Sequence, residues 1–170
     1  MSKEKVRLAT VQDIPPLMEG INLAKKQLFF HHSGQWQNGE PSENTITKDI
    51  QIGQYFVVEF HQQIVGGMAL LFHEPAYDKL LEGAWLNAFP YGVIHRFFIH
   101  PSFQGKGLAK LLLDHAQQVC FNKGIFNLRI DTHQKNIPMK SLLIKCGFRE
   151  VGKAFLPDAG ERVVYHKVYE

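Results

Sequence analysis

Residues Val93 to Lys110 constrain this chain most. An apolar, β-rich run from Val93 to His100 closes at Pro101, and Gln104-Gly105-Lys106-Gly107 then leads into a helical repeat. The repeat places Ala109, Leu112, Leu113, Ala116 and Cys120 on one side and Lys110, Asp114, Gln117 and Gln118 on the other. A strand feeding a glycine-rich turn and a helix start is a phosphate-binding device. Unpaired N–H groups of the first helical turn converge there, the helix dipole adds partial positive charge, and glycine lets a phosphate approach the main chain. Lys106 and Lys110 add charge beside it. The segment therefore predicts a phosphorylated ligand at Gln104 to Lys110. A Walker-type loop needs Ser or Thr after its Gly-Lys, and Gly107 follows Lys106. A dinucleotide fingerprint needs a third glycine where Lys110 stands, and it opens an early βαβ unit. A nicotinamide-dependent dehydrogenase is disfavoured on both counts.

The rest of the chain sets this unit in an α+β order. Val6–Ala9 predicts a strand, and Ile14 to Phe30 an amphipathic helix behind Thr10 and Pro15-Pro16. A second helix is expected from Pro41 to Gln51, and a hairpin from Tyr55–Phe60 and Ile64–Phe72. Gly66-Gly67 marks a bulge or a close backbone approach. After Val93–His100 and its helix come a strand (Ile125–Asp131), a short helix (Ile137–Lys145) and strands over 148–154 and 162–169. The segments 31–40 and 73–92 are long and unpatterned, as functional connections often are. With 170 residues, 45% hydrophobic and 21% charged, the chain suits one domain spanning 1–170. A net charge of +3 without a basic stripe argues against nucleic acid. No apolar run suits a membrane span. Met1-Ser2-Lys3-Glu4-Lys5 has no apolar stretch behind it, so no secretory leader is expected. Cys120 and Cys146 fall in apolar helical patterns and are expected as reduced, buried thiols. A cytoplasmic location follows.

Gln104-Gly105-Lys106-Gly107-Leu108-Ala109, preceded by Ile99-His100-Pro101-Ser102-Phe103, resembles the Gln/Arg-x-x-Gly-x-Gly/Ala signature of the GCN5-related N-acetyltransferases (GNAT). Leu128 to Thr132, Asn136, and Lys145 to Gly152 with its Gly147-Phe148 pair resemble that family's second block. The resemblance implies an α+β acyl-CoA N-acyltransferase fold. Its mixed, mostly antiparallel sheet has about seven strands, splayed between the fourth and fifth, and about four flanking helices. It implies acetyl-coenzyme A as co-substrate and no metal, with the pyrophosphate on the main chain of Gln104, Gly105, Lys106, Gly107, Leu108 and Ala109, beside Lys110. Main-chain groups of Phe98 and Ile99 would bond the pantetheine arm, and the Ile99 N–H would polarise the thioester carbonyl. Asn136 would bond the arm from the other side, cap a helix, or do both.

Attack by an amine requires loss of a proton, since a Lys-like amine has a pKa of roughly 10. His95 is the candidate base, expected to face the same way as Phe97 and Ile99 on an alternating strand; the competing reading is a histidine that merely packs. Glu59 and Glu82 stand in reserve. Members of the family often carry a Tyr acid four residues before the Gly of the Gly-Phe pair, where this chain has Leu143. The acid is therefore not transferable, although a thiol of pKa roughly 8.5 leaves tolerably as thiolate. Ser141 or a water could assist. Leu143 also leaves open a catalytically silent acyl-CoA-binding or sensor module. Trp36, Tyr77, Trp85, Phe89 and Tyr91 form an aromatic wall at the acceptor or simply pack. Glu74, Asp78 and Glu82 would suit a cationic acceptor or a solvated loop, and Asp131 and His133 form a dyad or cap a loop. The expected partner is a small-molecule or peptide amine, with homodimerisation left open.

Overall fold

The strands, in chain order, are β1 (Glu4–Leu8), β2 (Tyr55–Phe60), β3 (Gln63–Leu71), β4 (Glu82–Gly83), β5 (Gly92–Ile99), β6 (Asn127–Thr132), β7 (Arg149–Leu156) and β8 (Gly160–Val168). In this computed structural model, which describes residues 3–169, they form one sheet in the order β1-β2-β3-β5-β6-β8-β7-β4. Met1 and Ser2, which begin the charged N-terminal stretch, lie outside the described residues, as does Glu170. Every neighbouring pair is antiparallel except β5 and β6. The α-helices are α1 (Ile14–Phe30), α2 (Glu43–Gln51), α3 (Leu108–Asn122) and α4 (Ile137–Lys145). The strand that the sequence did not announce is β4. Two residues carry no alternation, and β4 exists only through its pairing with Gly152 and Lys153 of β7.

Burial divides the sheet into two faces. On one, Leu108, Leu112, Leu113, Ala116 and Cys120 of α3 and Leu143 of α4 pack with Ile94, Ile99, Leu128, Ile130, Val163 and Tyr165. On the other, Leu17, Ile21 and Ala24 of α1 and Ile46 and Ile50 of α2 cover Tyr55, Val57, Ala69 and Phe98. Beyond them the 75–91 connection covers the second half of that face, where Tyr77 packs with Val93, Ala154 and Val164. A buried polar knot holds this connection down. Neutral His166 accepts from the Leu86 N–H at Nδ1, and its Nε2–H donates to Asn127 Oδ1. The Arg129 guanidinium lies 4.1 Å from the Trp85 ring centre and 3.9 Å from that of Tyr91, and donates to the Asn87 carbonyl.

The sheet is interrupted where the signature needs room. Between β5 and β6 only Gly92, Val93 and Ile94 find partners, so the two strands part after Ile94. Opposite β3, the register shifts between Gly67 and Ala69, and Arg96 sits at φ 51°, a left-handed conformation uncommon for a side-chain-bearing residue. One extra residue is thus bulged into β5. Its guanidinium donates to both oxygens of buried Asp49 on α2, and the Tyr55 hydroxyl donates to its carbonyl. Close approach accounts for Gly66: a Cβ there would lie 2.7 Å from the Phe98 carbonyl oxygen.

Candidate active site

The turn ahead of α3 is left-handed at Gly105 (φ 78°) and at Gly107 (φ 79°), and α3 begins at Leu108. The first helical bond runs from the Leu111 N–H to the Gly107 carbonyl, so the N–H groups of the preceding residues have no acceptor within the helix. They face a groove of about 420 Å³. Of the residues singled out from the sequence, Phe98, Ile99, Gln104, Gly105, Gly107, Leu108, Ala109, Lys110 and Asn136 line it. Lys106 does not; its ammonium lies 5.6 Å from the centre of the Phe60 ring. The Lys110 ammonium is paired with Asp114 one turn on, at 2.7 Å. Gln104 and Gln27 of α1 exchange amide hydrogen bonds at 2.9 and 3.2 Å, tying the turn to α1.

Strand pairing decides where the β5 main chain points. Ile99 stands opposite Gly66, and the His100 N–H donates to the Val65 carbonyl, which makes Ile99–Gly66 a non-hydrogen-bonded pair. The Ile99 N–H is therefore turned away from β3, into the gap that β6 has left. The same alternation commits the main chain of Phe98 to Gly67, so the expected main-chain role of Phe98 is corrected. Phe98 lines the groove and packs with Leu17, Ile21 and Ala24 of α1.

A smaller cavity of about 50 Å³ occupies the gap itself. It shares Gln35, Trp36, Phe97, Asn136 and Met139 with the groove, and adds Ile94, His95, Ile130 and Asp131. His95 thus lines a slot that shares five wall residues with the groove. Its facing differs from the alternation argument, because the Arg96 bulge flips the parity. Phe97 and Ile99 pack on the α3/α4 side, whereas His95 points with Tyr77 and Asp131 to the opposite face. There His95 Nε2 meets Glu74 Oε1 at 3.1 Å, and Nδ1 lies 3.9 Å from Asp131 Oδ2. The Tyr77 hydroxyl donates to the same Asp131 oxygen at 2.6 Å. The hydrogen bond from His95 holds the Glu74 carboxyl below its ordinary range, and burial raises Tyr77 well above a free phenol. Glu74 also lines a separate cleft of about 450 Å³, bounded by Pro75, Ala76 and residues 155–159.

The remaining candidates separate on geometry. Glu59 pairs with Arg7 at 2.8 Å and exposed Glu82 lies beside Lys153, so neither reserve base reaches the slot. Asn136 caps α4 by accepting from the Met139 N–H, and its amide donates to Gln35. His133 caps its own loop, accepting from the Lys135 N–H, while Asp131 turns to Tyr77. Leu143 is fully buried in the core, and Ser141 is exposed and does not line the groove. The aromatic wall divides: Trp36 lines both groove and slot, Tyr77, Trp85 and Tyr91 pack together, and Phe89 is exposed. Sequence reasoning missed Gln35, whose single oxygen accepts from Thr132 Oγ1, the His133 N–H and Asn136 Nδ2. It also missed Glu74 as the partner of His95. Both lie in unpatterned connections, where only the folded chain reveals a neighbour.

A statistical description of the acetyltransferase (GNAT) family matches residues 23–148. Among solved structures, a GNAT family acetyltransferase from Streptococcus agalactiae is 33% identical, with a TM-score of 0.89 over 98% of this chain and 96% of that one. The PaiA N-acetyltransferase from Thermoplasma acidophilum, solved with coenzyme A, shares the fold at 17% identity, TM-score 0.75, over 99% and 100% of the two chains. A GNAT family acetyltransferase from Listeria monocytogenes does so at 20% identity, TM-score 0.73, over 98% and 95%.

Proposed function

This chain belongs to the GNAT family of acetyltransferases, and from that premise we propose that it moves the acetyl group of acetyl-coenzyme A directly to a primary amine of a small molecule or peptide, as one cytoplasmic domain spanning residues 1–170. The observation that carries this reading is the wall that groove and slot share, since five residues line both and His95 lines the slot. The residues present fit the co-substrate. The N–H groups of residues 108–110, which have no acceptor inside α3, suit a diphosphate, and the groove beside Phe98, Asn136 and Met139 suits its narrow arm. When bound, acetyl-coenzyme A supplies an activated acetyl thioester whose thiol, with a pKa of roughly 8.5, departs without a strong acid.

The protein's own part is positioning and proton transfer. The Ile99 N–H, aimed into the gap by strand pairing, is a fixed dipole for the thioester carbonyl oxygen. His95, donating from Nε2 to Glu74, keeps Nδ1 as the lone pair available to an incoming amine. Glu74 then joins His95 to the cleft on its far side, which gives the released proton a route to solvent. The position of Leu143 in the core leaves the thiolate to depart unassisted by that residue.

The test is release of free coenzyme A thiol across a broad amine panel, with His95→Ala beside the parent protein. The reading expects turnover that falls about 10²- to 10⁴-fold in the variant, with coenzyme A affinity unchanged. Tight coenzyme A binding without turnover on any amine would favour the silent sensor module instead. An unchanged pH–rate profile in His95→Ala would remove His95 from the mechanism.

A further inference from the structure

The described residues contain two deeply buried arginines, and they are not alike. Arg129 is stacked between two aromatic rings and donates from Nη2 to a carbonyl, while its Nε is sealed from solvent without a hydrogen-bond partner. Arg162 has no such stack. It is only 7% exposed, and its one side-chain hydrogen bond among the described residues runs from Nη1 to the carbonyl of the adjacent Glu161, so its other nitrogens, none of which is sealed from solvent without a partner, stay open to a ligand. Among the described residues no carboxylate lies within ion-pair distance of it. A guanidinium held in a mostly buried position without an ion pair has N–H donors to spare for a ligand, because it carries five of them in a fixed fork.

The placement of Arg162 says what the partner is for. On β8, Arg162 shares a face with Val164, which packs with Tyr77 and Val93 beside His95. Val164 stands opposite Asp131, so Arg162 is the diagonal neighbour of Asp131, at a spacing of roughly 7 Å between Cα atoms. Their charges interact: Asp131 opposes the lowering that burial imposes on Arg162. The 33–38 segment is pinned at both sides of this spot. Gln35 holds the end of β6 through Thr132 and His133, and Asn38 donates to the Asp158 carbonyl in the β7–β8 turn. In the sheet order β6-β8-β7, Arg162 lies between these two anchors.

Resting on the acetyl-transfer reading and extending it to the acceptor, we propose that Arg162 binds an oxyanion carried by the amine substrate. The acceptor is thus an amine bearing a carboxylate or a phosphate. Its amino group faces His95 and Asp131 while its anionic group meets the guanidinium fork, which matches the planar geometry of a carboxylate and also suits phosphate.

Matched acceptor pairs test this. Coenzyme A thiol release is measured with amino acids, with aminoalkyl phosphates, and with the corresponding amines lacking the acid, for the parent protein, Arg162→Met and Arg162→Lys. The parent protein favours the acid-bearing member of a pair by about tenfold or more in kcat/KM. Whether carboxylate or phosphate gains more identifies the source of the anion. Arg162→Met removes the preference by raising KM for acid-bearing acceptors about tenfold to a hundredfold, leaves plain amines within about twofold, and melts no lower than the parent because an unpaired buried cation has gone. Arg162→Lys keeps part of the preference. Equal handling of the pairs by the parent protein overturns the proposal, as does an equal loss on both members, or a much lower melting temperature, in Arg162→Met. If coenzyme A binds but no amine is acetylated, the acetyl-transfer reading fails separately. The anion site is then decided by calorimetric titration of the coenzyme A-loaded protein with N-acetyl amino acids and phosphorylated amines. Binding lost in Arg162→Met upholds it, and no binding to the parent protein overturns it.

Discussion

His95 acquires its chemistry from neighbours far away in sequence. A histidine alone in a slot could present either ring nitrogen, but the Glu74 carboxylate 3.1 Å from Nε2 selects the tautomer that leaves Nδ1 unprotonated. Glu74→Gln keeps the size and loses the carboxylate that accepts from His95 Nε2. We expect kcat to fall about tenfold or more with coenzyme A affinity unchanged, as steady-state kinetics and calorimetry would register. A fall in affinity with kcat intact would show that Glu74 shapes the groove instead. Leu143 is a contrasting residue, packed from α4 into the core. Leu143→Ala should cost about 2–5 kcal/mol in urea unfolding, as a deleted core side chain does. A cost near zero would mean that the position is not core.

At the scale of elements, the decisive feature is the irregularity of β5. The Arg96 bulge bends the strand away from β6, and the buried Asp49 carboxylate, paired with Arg96, holds it. Gly66→Ala would press a methyl against the Phe98 carbonyl from the next strand. The expected loss is about 1–3 kcal/mol of stability, with a fall in kcat as Ile99 shifts; a variant of unchanged stability and rate would contradict the tight approach. The His166 knot gives a second prediction. Burial lowers the pKa of His166 to about 4, against roughly 6.5 in the unfolded chain. Between those values the unfolded state binds the proton and the native state does not, so His166's contribution makes stability fall as pH drops from about 6.5 to 4. Denaturant melts across that window, followed by Trp85 fluorescence in a Trp36→Phe background, should show this slope, and His166→Gln should flatten it. The regular helices and strands were legible because their apolar spacing has one cause, burial of one face. The bulge was not, because Arg96 gives no glycine signal, and a single extra residue reversed the facing inferred for His95. The two-residue β4 had no pattern to offer.

At the scale of the whole molecule, the groove is assembled from α1, the turn before α3, α4 and the 33–38 segment, parts far apart in the sequence. The glycine turn was legible because its geometry is local. Gln35, Glu74 and Arg162 were not, because their significance lies in what the fold brings beside them. A ligand that fills this groove bridges these elements and stabilises the native state. At a hundredfold excess over Kd the gain is about 2.7 kcal/mol, a melting shift of several degrees for a chain of this length. The most direct measurement is calorimetric titration of coenzyme A into the parent protein and into Gly107→Val, whose side chain strains the left-handed turn. The account predicts a single site in the parent protein and an affinity about tenfold or more weaker in the variant. An absence of heat and of any melting shift in the parent protein, or equal affinity in the two, would contradict it.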